Sequence, residues 1–207
     1  MRVNMTALRQ TWDKLCEDLE IPCRAVFEVI AERYGEPHRF YHAIGHVESL
    51  LKLLHDDFST LARDGAAVEL ALWFHDIVYD SHAKDNEEKS AELMRRVIGK
   101  QLAPELERKV AAFILATKHD GPVADPDAQL VVDIDLSTLG ASPEDFHRNS
   151  EFIRKEYFWV PEAEYRKHRK ATLQRFLAQS PLYHHLPVRR RFEAAAKRNL
   201  TEALAEL

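Results

Sequence analysis

Residues that break helices or cross-link small folds are scarce in this sequence. The 207 residues include 6 Gly and 2 Cys, a composition that excludes a collagen-like chain and suits an ordinary globular protein rich in helix. No apolar run approaches the roughly 20 residues of a membrane span, and the first ten residues lack the apolar core of a secretory signal. We therefore expect a cytoplasmic protein with no membrane partner.

An excess of positive charge is also absent. The net charge is -5 at pH 7, and the basic residues are spread over both halves of the chain. Binding to a nucleic-acid backbone requires a basic patch or stripe. We therefore expect no nucleic-acid polymer as a partner, although a small phosphorylated molecule needs only a local cluster of basic residues.

The two cysteines, Cys16 and Cys23, lie among helical patterns. Their spacing is not the C-x-x-C of redox or zinc motifs. We therefore predict two reduced thiols rather than a disulfide or a zinc pair.

Apolar residues recur at spacings of three and four along most of the chain, which predicts helices. The segment 68–78 is apolar on nearly every side, so we expect it to form a central, buried helix. The pattern of 129–139 suits a strand or a helix, and we favour a helix because no second strand is available for pairing. The predicted fold is an all-α, single-domain helical bundle over 1–207. The predicted helices cover about 6–19, 22–34, 43–58, 68–78, 86–98, 104–119, 129–139, 144–160, 162–178 and 187–207.

The most informative polar pair is His75-Asp76, which interrupts the most apolar helical pattern. Burying an unpaired carboxylate costs several kcal/mol, so a partner must neutralise Asp76. A metal cation would do so, with the imidazole as a further ligand. A structural hydrogen bond between the two side chains is the alternative, and the pair alone does not decide between them.

Two further segments bear on that choice. His46 lies at the edge of the apolar face of its predicted helix, and His42 lies one turn earlier. Two histidines at that spacing can bind one metal ion from one helix, although the H-E-x-x-H pattern is absent. In the third segment, Asp133 and Asp135 interrupt another strongly apolar run.

In this order, His46, His75-Asp76 and a distant aspartate resemble the H…HD…D signature of the HD superfamily. The neighbouring residues Arg39-Phe-Tyr41-His42, Asn86-Glu87-Glu, Thr117-Lys118-His119 and Asp133-Ile-Asp135-Leu-Ser look like those of the bacterial predicted metal-dependent HD phosphohydrolases, and Arg154-Lys-Glu156-Tyr157 is similar to that group's carboxy-terminal pattern. The likeness covers most of 39–199. It implies a metal-binding core at about 39–140, with the carboxy-terminal helices of 143–207 packed on it.

The resemblance implies that His46, His75, Asp76 and Asp135 bind a divalent ion: Mn, Fe, Ni, Co or Mg. Asp135 is preferred to Asp133 because related helical phosphodiesterases carry this ligand immediately before Leu-Ser. Two imidazoles and two carboxylates leave open coordination positions for water or a phosphate oxygen. His119 and Asp133 are expected to bind a second ion or to support the ligands of the first.

The implied activity is metal-dependent hydrolysis of a small phosphomonoester or phosphodiester, such as a nucleotide, by an activated water. Asp76, His42 and Glu87 are the expected catalytic residues. The expected substrate contacts are Arg39, Tyr41, Lys118, Arg166 and Arg169. His38, His184 and His185 are taken as surface histidines, and a homodimer is compatible with the sequence.

Two alternative functions stay open. Some members of the HD superfamily use this scaffold as di-iron oxygenases. A non-catalytic sensor that binds a nucleotide is the other alternative, and it ranks last because all four expected metal ligands are present.

Overall fold

The computed structural model describes residues 3–207, and helices make up most of that range. The prediction of an all-helical chain is confirmed, since no strand occurs among the residues described. The α-helices are α1 (Met5–Asp18), α2 (Val26–Tyr34), α3 (Ile44–Leu53), α4 (Gly65–Phe74), α5 (Asn86–Val97), α6 (Pro104–Ala116), α7 (Pro126–Asp135), α8 (Pro143–Glu156), α9 (Glu162–Ala178) and α10 (Leu186–Glu206). A π-helical turn, Leu54–Phe58, continues α3, and a 3-10 helix, Leu136–Gly140, follows α7.

Contacts between Cα atoms divide the chain into two compact units, Met1–Val132 and Asp133–Leu207. The division falls within α7. This division does not test the expected single domain over 1–207, which stays a prediction. Within the described residues, no helix combines the length and the apolar character that crossing a membrane requires.

Helix α4 forms the centre of the first unit, as its uniformly apolar sequence predicted. It packs against α3, α5 and α6, and every residue from Ala67 to Phe74 except Glu69 is buried. The Trp73 ring meets the Trp12 ring edge to face, with the centroids 5.4 Å apart. The Asp64 side chain accepts a hydrogen bond from the backbone N–H of Ala67 and so caps the start of the helix.

Cys16 and Cys23 form a disulfide, which corrects the prediction of two reduced thiols. The turns that follow α1 bring the two Cα atoms to 5.6 Å, within the range that a disulfide requires. The buried Trp12 holds this turn, since its Nε1–H donates to the carbonyl oxygen of Cys23 at 2.9 Å. The turns after α1, rather than a C-x-x-C motif, set the distance between the two cysteines, so the sequence spacing did not predict the disulfide.

In the second unit, α10 packs against α9 and against the 3-10 helix Leu136–Gly140. The close approach requires glycine at position 140, because a Cβ there would lie 2.8 Å from both the Cβ and the carbonyl oxygen of Phe192. Asn199 ties the same surfaces together, since its Nδ2 donates to the carbonyl oxygens of Leu139 and Ala141, each at 2.9 Å.

Candidate metal centre

His46 lies in the first turn of α3 and is 7% exposed. Its ring centroid is 5.4 Å from that of His75 and 4.9 Å from that of Tyr41. The helix turns its apolar face inward, with Val47 and Leu50 buried beside it. Packing of that face therefore brings the His46 imidazole close to the second histidine of the candidate site.

His75 and Asp76 follow the carboxyl end of α4, whereas the apolar pattern had predicted that they lie inside it. The helix ends at Phe74, and His75 is its C-cap, with its backbone N–H donating to the carbonyl oxygen of Ala71 at 2.8 Å. The side chain is oriented by a second bond, since Nδ1 lies 3.0 Å from the carbonyl oxygen of Leu72. A carbonyl oxygen only accepts hydrogen bonds, so Nδ1 carries a proton, and in the neutral imidazole Nε2 then carries a lone pair.

That lone pair faces a carboxylate. His75 Nε2 lies 3.0 Å from Oδ2 of Asp76, and both atoms are acceptors when the imidazole is neutral. Two acceptors at this distance repel each other unless a proton or a cation lies against both. This arrangement is what a metal-binding imidazole requires: one ring nitrogen tied to the backbone and the other turned to the metal site.

Asp135, the last residue of α7, completes a group that could hold a metal ion. One ligand atom from each of His46, His75 and Asp135 lies within 4.8 Å of the others, with both histidines buried and the aspartate half-buried. Ligand atoms about 2.1 Å from a shared ion are at most about 4.2 Å apart, so small side-chain movements suffice. Two imidazole nitrogens and a carboxylate oxygen suit a divalent transition metal. Asp76 is not a member of this three-residue group, and its expected role as a ligand stays a prediction.

Arg39 holds the segment that carries the candidate ligands. Its side chain is fully buried, and its guanidinium donates to the carbonyl oxygens of Asp76 at 2.5 Å, Ile77 at 2.9 Å and His42 at 3.2 Å. Its Nε donates to Glu36 Oε2 at 2.9 Å. Arg39 was expected to contact a substrate, but its guanidinium donates to the backbone beside His75.

Glu87 lies in the first turn of α5. Burial raises the pKa of its carboxyl group above the ordinary value, and the negative charge of Asp76 raises it further. Lys118, an expected substrate contact, forms an ion pair with the neighbouring Glu88. A glutamate whose pKa is raised is better suited to donate a proton to a leaving group.

Aromatic rings surround His46 on the amino-terminal side of α3. The His42 ring stacks on the Tyr79 ring at a centroid distance of 4.0 Å and an interplanar angle of 23°. Tyr41 contacts both histidines, at 4.8 Å from His42 and 4.9 Å from His46. His42 and Tyr41 thus lie close to His46, and their expected roles in catalysis and substrate binding stay predictions.

The two residues expected at a second ion have different surroundings. His119 lies just beyond α6 with a positive φ of 54° and is half-buried, but it does not belong to the group in residues 3–207 that could hold a metal ion.

Asp133 is fully buried and accepts hydrogen bonds from the backbone N–H groups of His184 and His185, each at 2.7 Å. Its two oxygens also accept from Nδ1 of the same histidines, at 2.9 and 3.0 Å. His184 is exposed, as the sequence predicted, and His185 is half-buried. An aspartate within a strongly apolar run indicates that it needs hydrogen-bonding partners. The sequence did not show that these partners lie 51 and 52 residues away.

Arg166 and Arg169 line a different site from the one expected. They lie on α9 in the carboxy-terminal cleft, which we define as the cleft lined by α8, α9 and α10 within residues 143–207. None of His46, His75 and Asp135 lines it.

Comparison of the chain with protein-family models, with curated proteins and with solved structures finds no match.

Proposed function

We propose that this chain is a metal-dependent phosphohydrolase of the HD type, acting on a small phosphomonoester or phosphodiester such as a nucleotide. The observation that carries the proposal is the group of His46, His75 and Asp135, with Asp76 Oδ2 at 3.0 Å from His75 Nε2. This set has the residue types and the chain order of the H…HD…D signature. A divalent ion bound there would supply Lewis-acid chemistry, activating water and neutralising charge on phosphoryl oxygens.

The chain's own residues have three further tasks in this proposal. Arg39 fixes the backbone at Asp76, so that the carboxylate is held beside His75 before a substrate arrives. Tyr41 packs against His46 and limits the rotation of its ring. Glu87, whose pKa is raised by burial, donates a proton to the leaving oxygen.

The proposal is tested by metal analysis of the untreated protein followed by a substrate screen. The screen uses p-nitrophenyl phosphate, bis(p-nitrophenyl) phosphate and nucleoside mono-, di- and triphosphates, each with Mn, Co, Ni or Mg. We expect release of phosphate or of a phosphomonoester that falls at least about a hundredfold in His75→Ala and Asp135→Asn, as loss of a metal ligand or its support does.

Two exposed positions supply matched controls. His168→Ala and Asp18→Asn remove the same side-chain types at 71% and 61% exposure, and neither should alter the rate or the metal content. A metal-loaded, folded protein that is inert toward every substrate would contradict the proposal. Two irons per chain together with a charge-transfer band in the near ultraviolet would instead favour the di-iron oxygenase.

A further inference from the structure

The carboxy-terminal cleft has the dimensions of a small-molecule site. Its volume is about 400 Å³, within the range of about 300–1,000 Å³ that such sites occupy. Its base is apolar, since Phe146 and Leu173 are 8% and 1% exposed. Polar and charged side chains from all three helices surround this base, so the cleft combines an apolar surface with several directional groups.

The α10 wall presents a buried acceptor. Asn199 lines the cleft and is 2% exposed. Both hydrogens of its Nδ2 are used by the carbonyl oxygens of Leu139 and Ala141, but no residue in the described range 3–207 donates a hydrogen bond to its Oδ1. A buried acceptor without a partner costs about 1–3 kcal/mol. A donor group from a bound molecule would remove that cost.

A second acceptor lies one turn further along the same helix. Glu202 also lines the cleft, is exposed, and pairs with no cation among the residues that the structure describes. Residues three apart in a helix lie on the same face, and Asn199 and Glu202 both line the cleft from this face of α10. This wall therefore suits a positively charged donor, such as an ammonium group.

The α9 wall carries two arginines and one glutamate, Glu162, so its net charge is positive. Arg166 and Arg169 are also three residues apart and line the cleft. The Nη2 of Arg166 donates to the carbonyl oxygen of Glu206 at 2.7 Å, which uses one of the five N–H donors of a guanidinium. Burial raises the pKa of the Tyr165 hydroxyl, and the positive charge of Arg169 opposes that rise. This wall therefore suits a carboxylate.

The charge balance argues against a phosphate in the cleft. Three arginines line it, Arg154 among them, but so do four glutamates. Arg154 is moreover held by the carbonyl oxygens of Tyr157 and Val160, at 2.6 and 3.0 Å. A dianion would meet more negative than positive charge, whereas a molecule with one charge of each sign would meet an opposite charge at each wall.

We propose that the carboxy-terminal cleft binds a small zwitterion with an apolar body, of the chemical class of apolar L-α-amino acids. The ammonium group lies at Asn199 Oδ1 and Glu202, the carboxylate at Arg166 and Arg169, and the side chain against Phe146 and Leu173. This inference is independent of the proposed hydrolase activity.

Isothermal titration calorimetry of the full chain with L-phenylalanine, L-leucine and L-tyrosine tests the proposal. We expect at least one of them to bind with a dissociation constant in the millimolar range or below. The analogues 3-phenylpropanoate and 2-phenylethylamine each lack one charge. Each should bind at least about tenfold more weakly than L-phenylalanine, as loss of a charge-assisted hydrogen bond predicts.

Charge-removing variants at the two walls distinguish binding in the carboxy-terminal cleft from binding elsewhere on the protein. Arg169→Gln and Glu202→Gln should each weaken binding at least about tenfold, with Glu202→Gln having no effect on 3-phenylpropanoate. Lys167→Gln and Glu164→Gln change exposed residues of α9 that do not line the cleft, and both should bind as the unaltered chain does. Circular dichroism confirms that each variant is folded.

Three results would overturn the proposal. The first is that none of the three amino acids binds at millimolar concentration. The second is that a singly charged analogue binds as tightly as L-phenylalanine. The third is that inorganic phosphate binds more tightly than any of the three amino acids and that the same variants change its affinity.

Discussion

Replacing Arg39 by methionine tests whether one buried side chain supports both the fold and the candidate metal centre. The guanidinium makes four contacts of 2.5–3.2 Å, three to backbone carbonyl oxygens and one to Glu36. Methionine has a similar length but no donor, so Arg39→Met would leave these acceptors without their partner. The Glu36 carboxylate is 25% exposed, so most of the cost comes from the carbonyl oxygens left without a donor. We expect a total loss of about 3–5 kcal/mol, a large share of the roughly 5–15 kcal/mol that stabilises a typical domain.

The local consequence should appear at the candidate metal centre. Two of the lost contacts hold the carbonyl oxygens of Asp76 and Ile77, which lie directly after His75. Arg39→Lys keeps the positive charge but not the planar fork of donors, so we expect about half the loss of stability. Since Arg39→Lys should stay folded, its affinity for Mn²⁺ can be measured by calorimetry, and we expect a decrease of about tenfold.

The control is Arg33→Met. Arg33 pairs with the same glutamate at 3.1 Å but is 42% exposed, so its loss should cost less than about 1 kcal/mol. Urea denaturation followed by circular dichroism gives the free energies of unfolding. The reasoning is refuted if Arg39→Met is destabilised by no more than Arg33→Met, or if Arg39→Lys binds Mn²⁺ as tightly as the unaltered chain.

Three further changes have clear expectations. Gly140→Ala should lower the free energy of unfolding by about 1–3 kcal/mol, because the added Cβ would lie 2.8 Å from Phe192. Asp133→Asn should cost about 2–4 kcal/mol, since an amide replaces an oxygen that accepts two of its four hydrogen bonds. A hydrogen bond from His55 to Glu69 raises the pKa of that histidine, so the pair stabilises the fold below about pH 6.5 and this contribution is lost as the pH rises through the folded-state pKa.

Each expectation has a measurement that can contradict it. Gly140→Ala and Asp133→Asn are compared with the unaltered chain by urea denaturation, and a change below about 0.5 kcal/mol in either contradicts the packing described here. For the pH effect, the unaltered chain and His55→Gln are compared between pH 5 and pH 9. The free energies of unfolding of the two proteins should differ by about 0.5 kcal/mol at acid pH, a value reduced for solvent screening, and should be equal at alkaline pH. A difference in stability that grows as the pH rises would contradict a stabilising effect of protonated His55.

Several features followed from local sequence patterns. The apolar positions spaced by three and four predicted helices where α3, α5, α8 and α9 occur, and the uniformly apolar segment before His75 predicted a buried central helix. The grouping of His46, His75 and Asp135 was also expected, though from the resemblance to a family rather than from spacing. The helices depend on hydrogen bonds and contacts within about four residues, which the sequence order specifies directly.

Other features depended on how the helices pack. Asp133 lies 51 residues from His184, and Arg39 lies 37 residues from Asp76. A buried aspartate or arginine in a sequence indicates that partners are required but does not identify them. Helix lengths, loop lengths and side-chain volumes together place those partners, and each small change in packing moves them by ångströms. Helix positions are therefore local properties of this chain, whereas the pairing of its buried polar groups is a property of the folded whole.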